Sequence, residues 1–133
     1  MELVMYAKNL KGKGEEIKVV LNAVSQENEV ETFNSLDGLR HWLLRAPHNE
    51  AVVVLVAEKR EEITELMSVL PLFRKVKIIL MLPDQEPETI KIGYKLEPRF
   101  LSFLDGGFST LTGIVTNMLA RSKSNKKLEE QGL

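Results

Sequence analysis

Ala51-Val52-Val53-Val54-Leu55-Val56-Ala57 carries no polar side chain on either face of an extended chain. Successive residues of a strand point to opposite faces, so a run that is apolar on both is buried on both. β-branched residues at this density suit a pleated strand. The stretch therefore reads as a central strand of a parallel sheet. Such a sheet needs helices on each side, and the flanking sequence has to supply them.

It does so on both sides. Downstream, Ile63, Leu66, Met67 and Leu70 recur at helical spacing and predict a helix with one apolar stripe. Val76 to Leu82 (VKIILML) predicts a second strand apolar on both faces beyond Lys77, and Pro83 stops it. Asp84 to Pro87 opens a weaker helix through Ile90 and Tyr94, with Gly93 against it. Phe100 to Leu104 predicts the last strand, Asp105-Gly106-Gly107 a turn, and Leu111, Ile114, Val115, Met118 and Leu119 line a final helix. Upstream, Leu3 to Ala7 predicts a buried strand. Ile17, Val20, Leu21 and Val24 predict a helix whose first turn holds Glu15 and Glu16, favourable for the helix dipole. Val30 to Phe33 is a short alternating strand, and Ser35 caps a helix that bears Leu36, Leu39 and Leu43 and ends at Pro47.

Strands separated by helix-length segments require crossovers, which are almost always right-handed. The expectation is an α/β fold: a three-layer αβα sandwich around a five-stranded parallel sheet. Its expected order is the flavodoxin-like 2-1-3-4-5, with a Rossmann-type order as the alternative. The domain is expected over residues 1–121, followed by a polar tail over 122–133 with Lys123, Lys126, Lys127, Glu129 and Glu130.

Composition narrows the function classes. The 133 residues suit one domain, and 44% hydrophobic with 28% charged residues is ordinary globular usage. The absence of cysteine excludes disulfides, thiolate metal sites and a cysteine nucleophile. Net charge −1 offers no general attraction to nucleic acid. No run approaches the roughly 18 apolar residues of a membrane span. The first residues lack the basic start of a signal peptide. A cytoplasmic location is expected, with no nucleic-acid or membrane partner.

The alternation of five strand-and-helix units, with a short amphipathic second strand, an apolar third strand and a terminal amphipathic helix, resembles the receiver domain of bacterial response regulators (CheY-like). The resemblance covers nearly the whole chain and is architectural. It implies a phosphotransfer site at the C-terminal ends of the strands, where ligands of open α/β sheets bind. Such a site needs two acids after the first strand to hold a hard cation, and this chain has Tyr6-Ala7-Lys8-Asn9 there. It needs an aspartate at the end of the third strand, where Leu55-Val56-Ala57-Glu58 stands. It needs a hydroxyl after the fourth strand and a lysine after the fifth, where Met81-Leu82-Pro83 and Phe103-Leu104-Asp105 stand. The resemblance thus implies a degenerate receiver, or pseudo-receiver: not an enzyme, without phosphoacceptor, metal or cofactor, acting through a protein partner in phosphorelay-related signalling.

Other residue sets offer rival sites. Lys8, Asn9, Glu58, Asp84 and Asp105 fall at one rim of the expected sheet. Lys8 facing Glu58 would make an ion pair, whereas Glu58, Asp84 and Asp105 holding Mg²⁺ would compete with Lys8. The alternative function is a small-molecule or nucleotide binder at this rim, using Lys8, Asn9 and the Gly12/Gly14 loop. Gly12-Lys13-Gly14 lacks the earlier Gly and the Ser or Thr of a P-loop, and Ile17 stands at the third glycine of a dinucleotide fingerprint. His41 and His48 have no ligand-spaced neighbours, and Ser35, Ser68 and Ser109 sit in no nucleophile motif. Lys59-Arg60-Glu61-Glu62 reads as a solvated helix start, and Trp42 as either core cover or a partner contact. The resemblance implies that a partner, a second copy included, would use the face of the fourth helix, fifth strand and fifth helix. There Ile92, Tyr94 and Phe100 are the candidate interface residues. Phe100 and Phe103 are expected on opposite faces of their strand.

Overall fold

The structure is a computed structural model that describes residues 2–25, 30–45 and 51–130. Pro47 and His48 lie outside the described residues. Five strands, β1 (Leu3–Ala7), β2 (Glu31–Phe33), β3 (Val52–Val56), β4 (Lys77–Leu82) and β5 (Phe100–Phe103), form one sheet in the order β2-β1-β3-β4-β5. Every pairing is parallel. This is the flavodoxin-like order expected from the sequence, and the Rossmann-type alternative is ruled out. The helices are α1 (Lys13–Val24), α2 (Leu36–Leu44), α3 (Arg60–Leu66), α4 (Pro87–Tyr94) and α5 (Ser109–Glu130).

Strand alternation divides the core into two layers. Val4, Tyr6, Val53, Leu55, Ile78, Leu80 and Leu82 pack with Leu39 and Trp42 of α2 and with Ile63 and Leu66 of α3. Met5, Val52, Val54, Val56, Ile79 and Met81 point the other way, onto Ile17 and Leu21 of α1 and onto Leu111 and Val115 of α5. All residues of β3 are buried, as its doubly apolar sequence requires. Phe103 joins the first layer and Phe100 the second, on opposite faces as expected.

Two local outcomes differ from the sequence reading, and a third decides between its alternatives. The α3 helix stops at Leu66 and the chain continues as a 3₁₀ helix over Met67–Lys75. Pro71 lies within that segment; it has no N–H to donate, and its ring crowds the preceding turn, so a regular α-helix cannot run through it. The α5 backbone stays helical to Glu130, past the Arg121 boundary where a polar tail is expected. Trp42 is buried against the edge of the core with its ring 6.4 Å from that of Phe33, which removes it as a partner contact. Ser35 caps α2 as expected, its hydroxyl accepting from the Gly38 amide at 3.1 Å.

Candidate functional site

The register fixes what stands at the C-terminal rim of the sheet. Ala7 pairs with Val56, Val56 with Met81, and Met81 with Ser102. One residue further along lie Lys8, Ala57, Leu82 and Phe103; Leu82 pairs with Phe103, and the Ala57 amide donates to the Met81 carbonyl at 3.0 Å. The next level holds Asn9, Glu58, Pro83 and Leu104, and Asp84 and Asp105 follow. All five rim candidates therefore stand beyond the ends of neighbouring strands, but their side chains do not form a single cluster.

Lys8 reaches across to α3 rather than to Glu58. Its ammonium lies 3.0 and 3.3 Å from the two carboxylate oxygens of Glu65, which raises the Lys8 pKa above the ordinary lysine value. The sequence reading missed this partner because Glu65 is set by the pitch of α3 and not by nearness to the strand end. Tyr6, buried below, has its phenol pKa raised, first by burial and then by the charges of Glu65 and Glu62. The Glu58 amide donates to a Glu62 carboxylate oxygen at 3.3 Å. Glu62 is itself buried at the start of α3, which corrects the reading of Lys59 to Glu62 as a wholly solvated stretch. One carboxylate oxygen of Glu58 is buried without a hydrogen-bond partner among the described residues.

The first loop is shaped for packing. Asn9 Oδ1 accepts from the Lys11 amide at 3.0 Å, closing a tight turn, and Gly12 precedes α1 with φ +64°. At Gly14 a Cβ would collide with the Asn9 carbonyl oxygen and crowd the Ala7 Cβ. Gly14 thus lets α1 approach the end of β1. Lys13 is engaged with Glu16 at 3.5 Å and lies over the Phe108 ring, 5.6 Å from its centre. The glycines here have a steric reason that requires no phosphate.

Over β4 and β5 the polar groups organise around α4. Asp84 Oδ1 accepts from the Glu86 amide at 3.0 Å. A hydrogen bond from Thr89, that amide bond and the charge of Arg60 hold the Asp84 carboxyl below its usual pKa. Gln85 donates to Asp105 at 3.3 Å. Arg60, at the start of α3, donates from Nη2 to Glu86 at 2.7 Å and from Nε to the Thr89 hydroxyl at 3.1 Å. Among the described residues no three His, Cys, Asp or Glu side chains come together as a possible metal site. His41 Nδ1 lies 2.8 Å from the Asp37 carbonyl, one turn earlier in α2.

The candidate interface residues separate. Tyr94 points outward, 61% exposed. Ile92 is half-buried against the layer shared with α2 and α3, and Phe100 against the layer shared with α1 and α5. Ile92 and Phe100 therefore lie on opposite faces of the sheet, on either side of the β5 edge, and do not form one patch. The exposed side of α4 around Tyr94 carries Glu88, Lys91 and Lys95.

Comparison of the chain with protein-family models and with curated proteins finds no match to either. Among the described residues no helix is long and apolar enough to cross a membrane.

Proposed function

We propose that the domain is a non-catalytic receiver-like module of bacterial signalling, cytoplasmic and phosphorelay-related, which acts by protein–protein contact. One observation carries this reading. In the receiver-like strand order, the levels where phosphotransfer chemistry would need acids, a hydroxyl and a lysine hold Ala7-Lys8-Asn9, Ala57-Glu58, Leu82-Pro83 and Leu104-Asp105. Nearby charges are already engaged: Lys8 with Glu65, and Arg60 with Glu86. A rim committed to its own ion pairs suits a scaffold whose useful surface lies elsewhere, and the outer side of α4 around Tyr94 is the surface we assign to a partner, a second copy being the simplest.

A thermal-shift series with nucleotides, flavins and sugar phosphates tests the module against a rim-ligand role. A flat response is expected. A reproducible rise of several degrees with one class would move the function to ligand binding. Light scattering over a concentration series, with wild type beside Tyr94→Glu, tests the surface. Self-association lost in the variant at unchanged stability is expected, and a wild type that stays monomeric throughout would exclude a second copy.

A further inference from the structure

The helices are anchored to the sheet in two different ways. Within α1, Ile17 and Leu21 are fully buried; within α2, Leu39 and Trp42; within α3, Ile63 and Leu66; within α5, Leu111 and Val115. Within α4 the buried residues are Thr89 and Gly93. Ile90 and Ile92 reach the core only in part, and the first fully buried apolar side chain, Leu96, comes after the helix has ended. Isolated helices shorter than about 12 residues are marginal even with favourable sequences. This one contains Thr89, Ile90, Ile92 and Gly93, all poor or middling helix formers. Tertiary contacts must therefore hold it.

Beside the partial packing of Ile90 and Ile92, a set of polar contacts converges on one side chain. Arg60 uses two nitrogens of its guanidinium, Nη2 to the Glu86 carboxylate at 2.7 Å and Nε to Thr89 Oγ1 at 3.1 Å. Thr89 is also the largest influence lowering the pKa of Asp84, which accepts from the Glu86 amide at 3.0 Å. Thr89 is fully buried, so its oxygen has no water to replace a lost donor. At the other end Gly93 sits against the side chains of Leu80 and Leu82, where an added Cβ would come within 3.1 to 3.2 Å of them. That seat allows close approach but inserts no side chain into the core.

We infer that Arg60 is a latch: it fastens the first turn of α4 to the β3–α3 junction, and when it is released α4 opens as a local unit while the sheet stays folded. Because Arg60 follows Glu58 and Lys59 directly beyond β3, a change at that junction passes to the exposed α4 surface without a phosphoryl group. The latch rests on the geometry of Arg60, Glu86 and Thr89 and stands whether or not the domain is a receiver-like module.

Native-state hydrogen exchange on the full chain tests it, with wild type compared with Arg60→Gln, Glu86→Gln and, as a control, Glu88→Gln on the exposed side of the same turn. The amides of Ile90 and Leu96, bonded to Glu86 and Gly93 carbonyls at 3.1 Å, report on α4. Those of Val54 and Leu80 report on the sheet. In Arg60→Gln the α4 amides are expected to exchange at least about tenfold faster, the order expected for losing a charge-assisted bond to a buried acceptor. The sheet amides should stay unchanged. Glu86→Gln, which neutralises one arm but keeps an oxygen that can accept, should give a smaller increase confined to α4, and Glu88→Gln none. Unchanged α4 exchange in Arg60→Gln, or acceleration of α4 and sheet by the same factor in both latch variants, would overturn the latch.

Discussion

Gly14→Ala separates a packing role for the first loop from a flexible-turn role. In an exposed helix interior this change would stabilise the protein by about 1 kcal/mol, because alanine is the better helix former. Here the new methyl meets the Asn9 carbonyl oxygen, a backbone atom that cannot rotate away, and lies 3.3 Å from the Ala7 Cβ. Relief requires α1 to move off the end of β1, and α1 is anchored by Ile17 and Leu21, both 0% exposed. Full burial of such side chains stabilises by about 1.5–3 kcal/mol each, so losing half of that for both costs about 1.5–3 kcal/mol. Adding the backbone crowding, typically about 1–3 kcal/mol for overpacking, and subtracting the propensity gain leaves a net loss of about 1.5–5 kcal/mol. Urea unfolding followed by fluorescence measures it, since Trp42 is the only tryptophan and is buried. A lower midpoint with an unchanged slope is expected. Stability equal to or above wild type would refute the close-approach argument and return the loop to a flexible turn.

Other perturbations follow from the same geometry. Glu97 holds φ +54° without being glycine and stands before Pro98, so Glu97→Gly should stabilise by about 0.5–1 kcal/mol in the same urea assay, and a lower midpoint would contradict this. Tyr6 and Lys8 both have raised pKa values. The unfolded chain therefore loses these protons first, and stability present below about pH 10 should fall as pH rises beyond it. Tyr6→Phe should flatten part of that decline, and a midpoint constant from about pH 9 to pH 11 would sink the assignment. Asp84 has a lowered pKa, so its contribution is present above about pH 4 and disappears as pH falls below that value. Asp84→Asn should remove this acid-side dependence, and an unchanged acid profile would contradict it.

The fold was legible wherever both faces of an element were chemically marked. The doubly apolar runs of β3 and β4 announce burial on two sides, and the stripes of α1 and α5 name their inward residues, so a parallel sheet followed from the crossover rules. The choice between the flavodoxin-like and Rossmann-type orders came from the strand pairing itself. Pro71 was visible in the sequence, but its consequence, the change from α to 3₁₀ beyond Leu66, depends on how the chain must reach β4. The candidate site was less legible because its partners are distant in sequence. Lys8 is 57 residues from Glu65, and Arg60 is 26 from Glu86. Thr89 gives no signal in the sequence because only the tertiary position of α4 buries its hydroxyl. Gly93 counted against the helix on propensity, whereas the nearness of Leu80 and Leu82 gives it a packing reason. The five rim residues stand beyond the ends of neighbouring strands, but position at a rim does not decide which side chains meet.

This flavodoxin-like scaffold is expected not to take up a phosphoryl group. Incubating the full chain with acetyl phosphate and Mg²⁺, then measuring intact mass immediately after an acid quench, tests it most directly. An unchanged mass is expected, because Ala57 and Glu58 stand where the acceptor aspartate would be and Lys8 and Asn9 where the cation-holding acids would be. A gain of one phosphoryl group, mapped to a carboxylate at the rim, would contradict it.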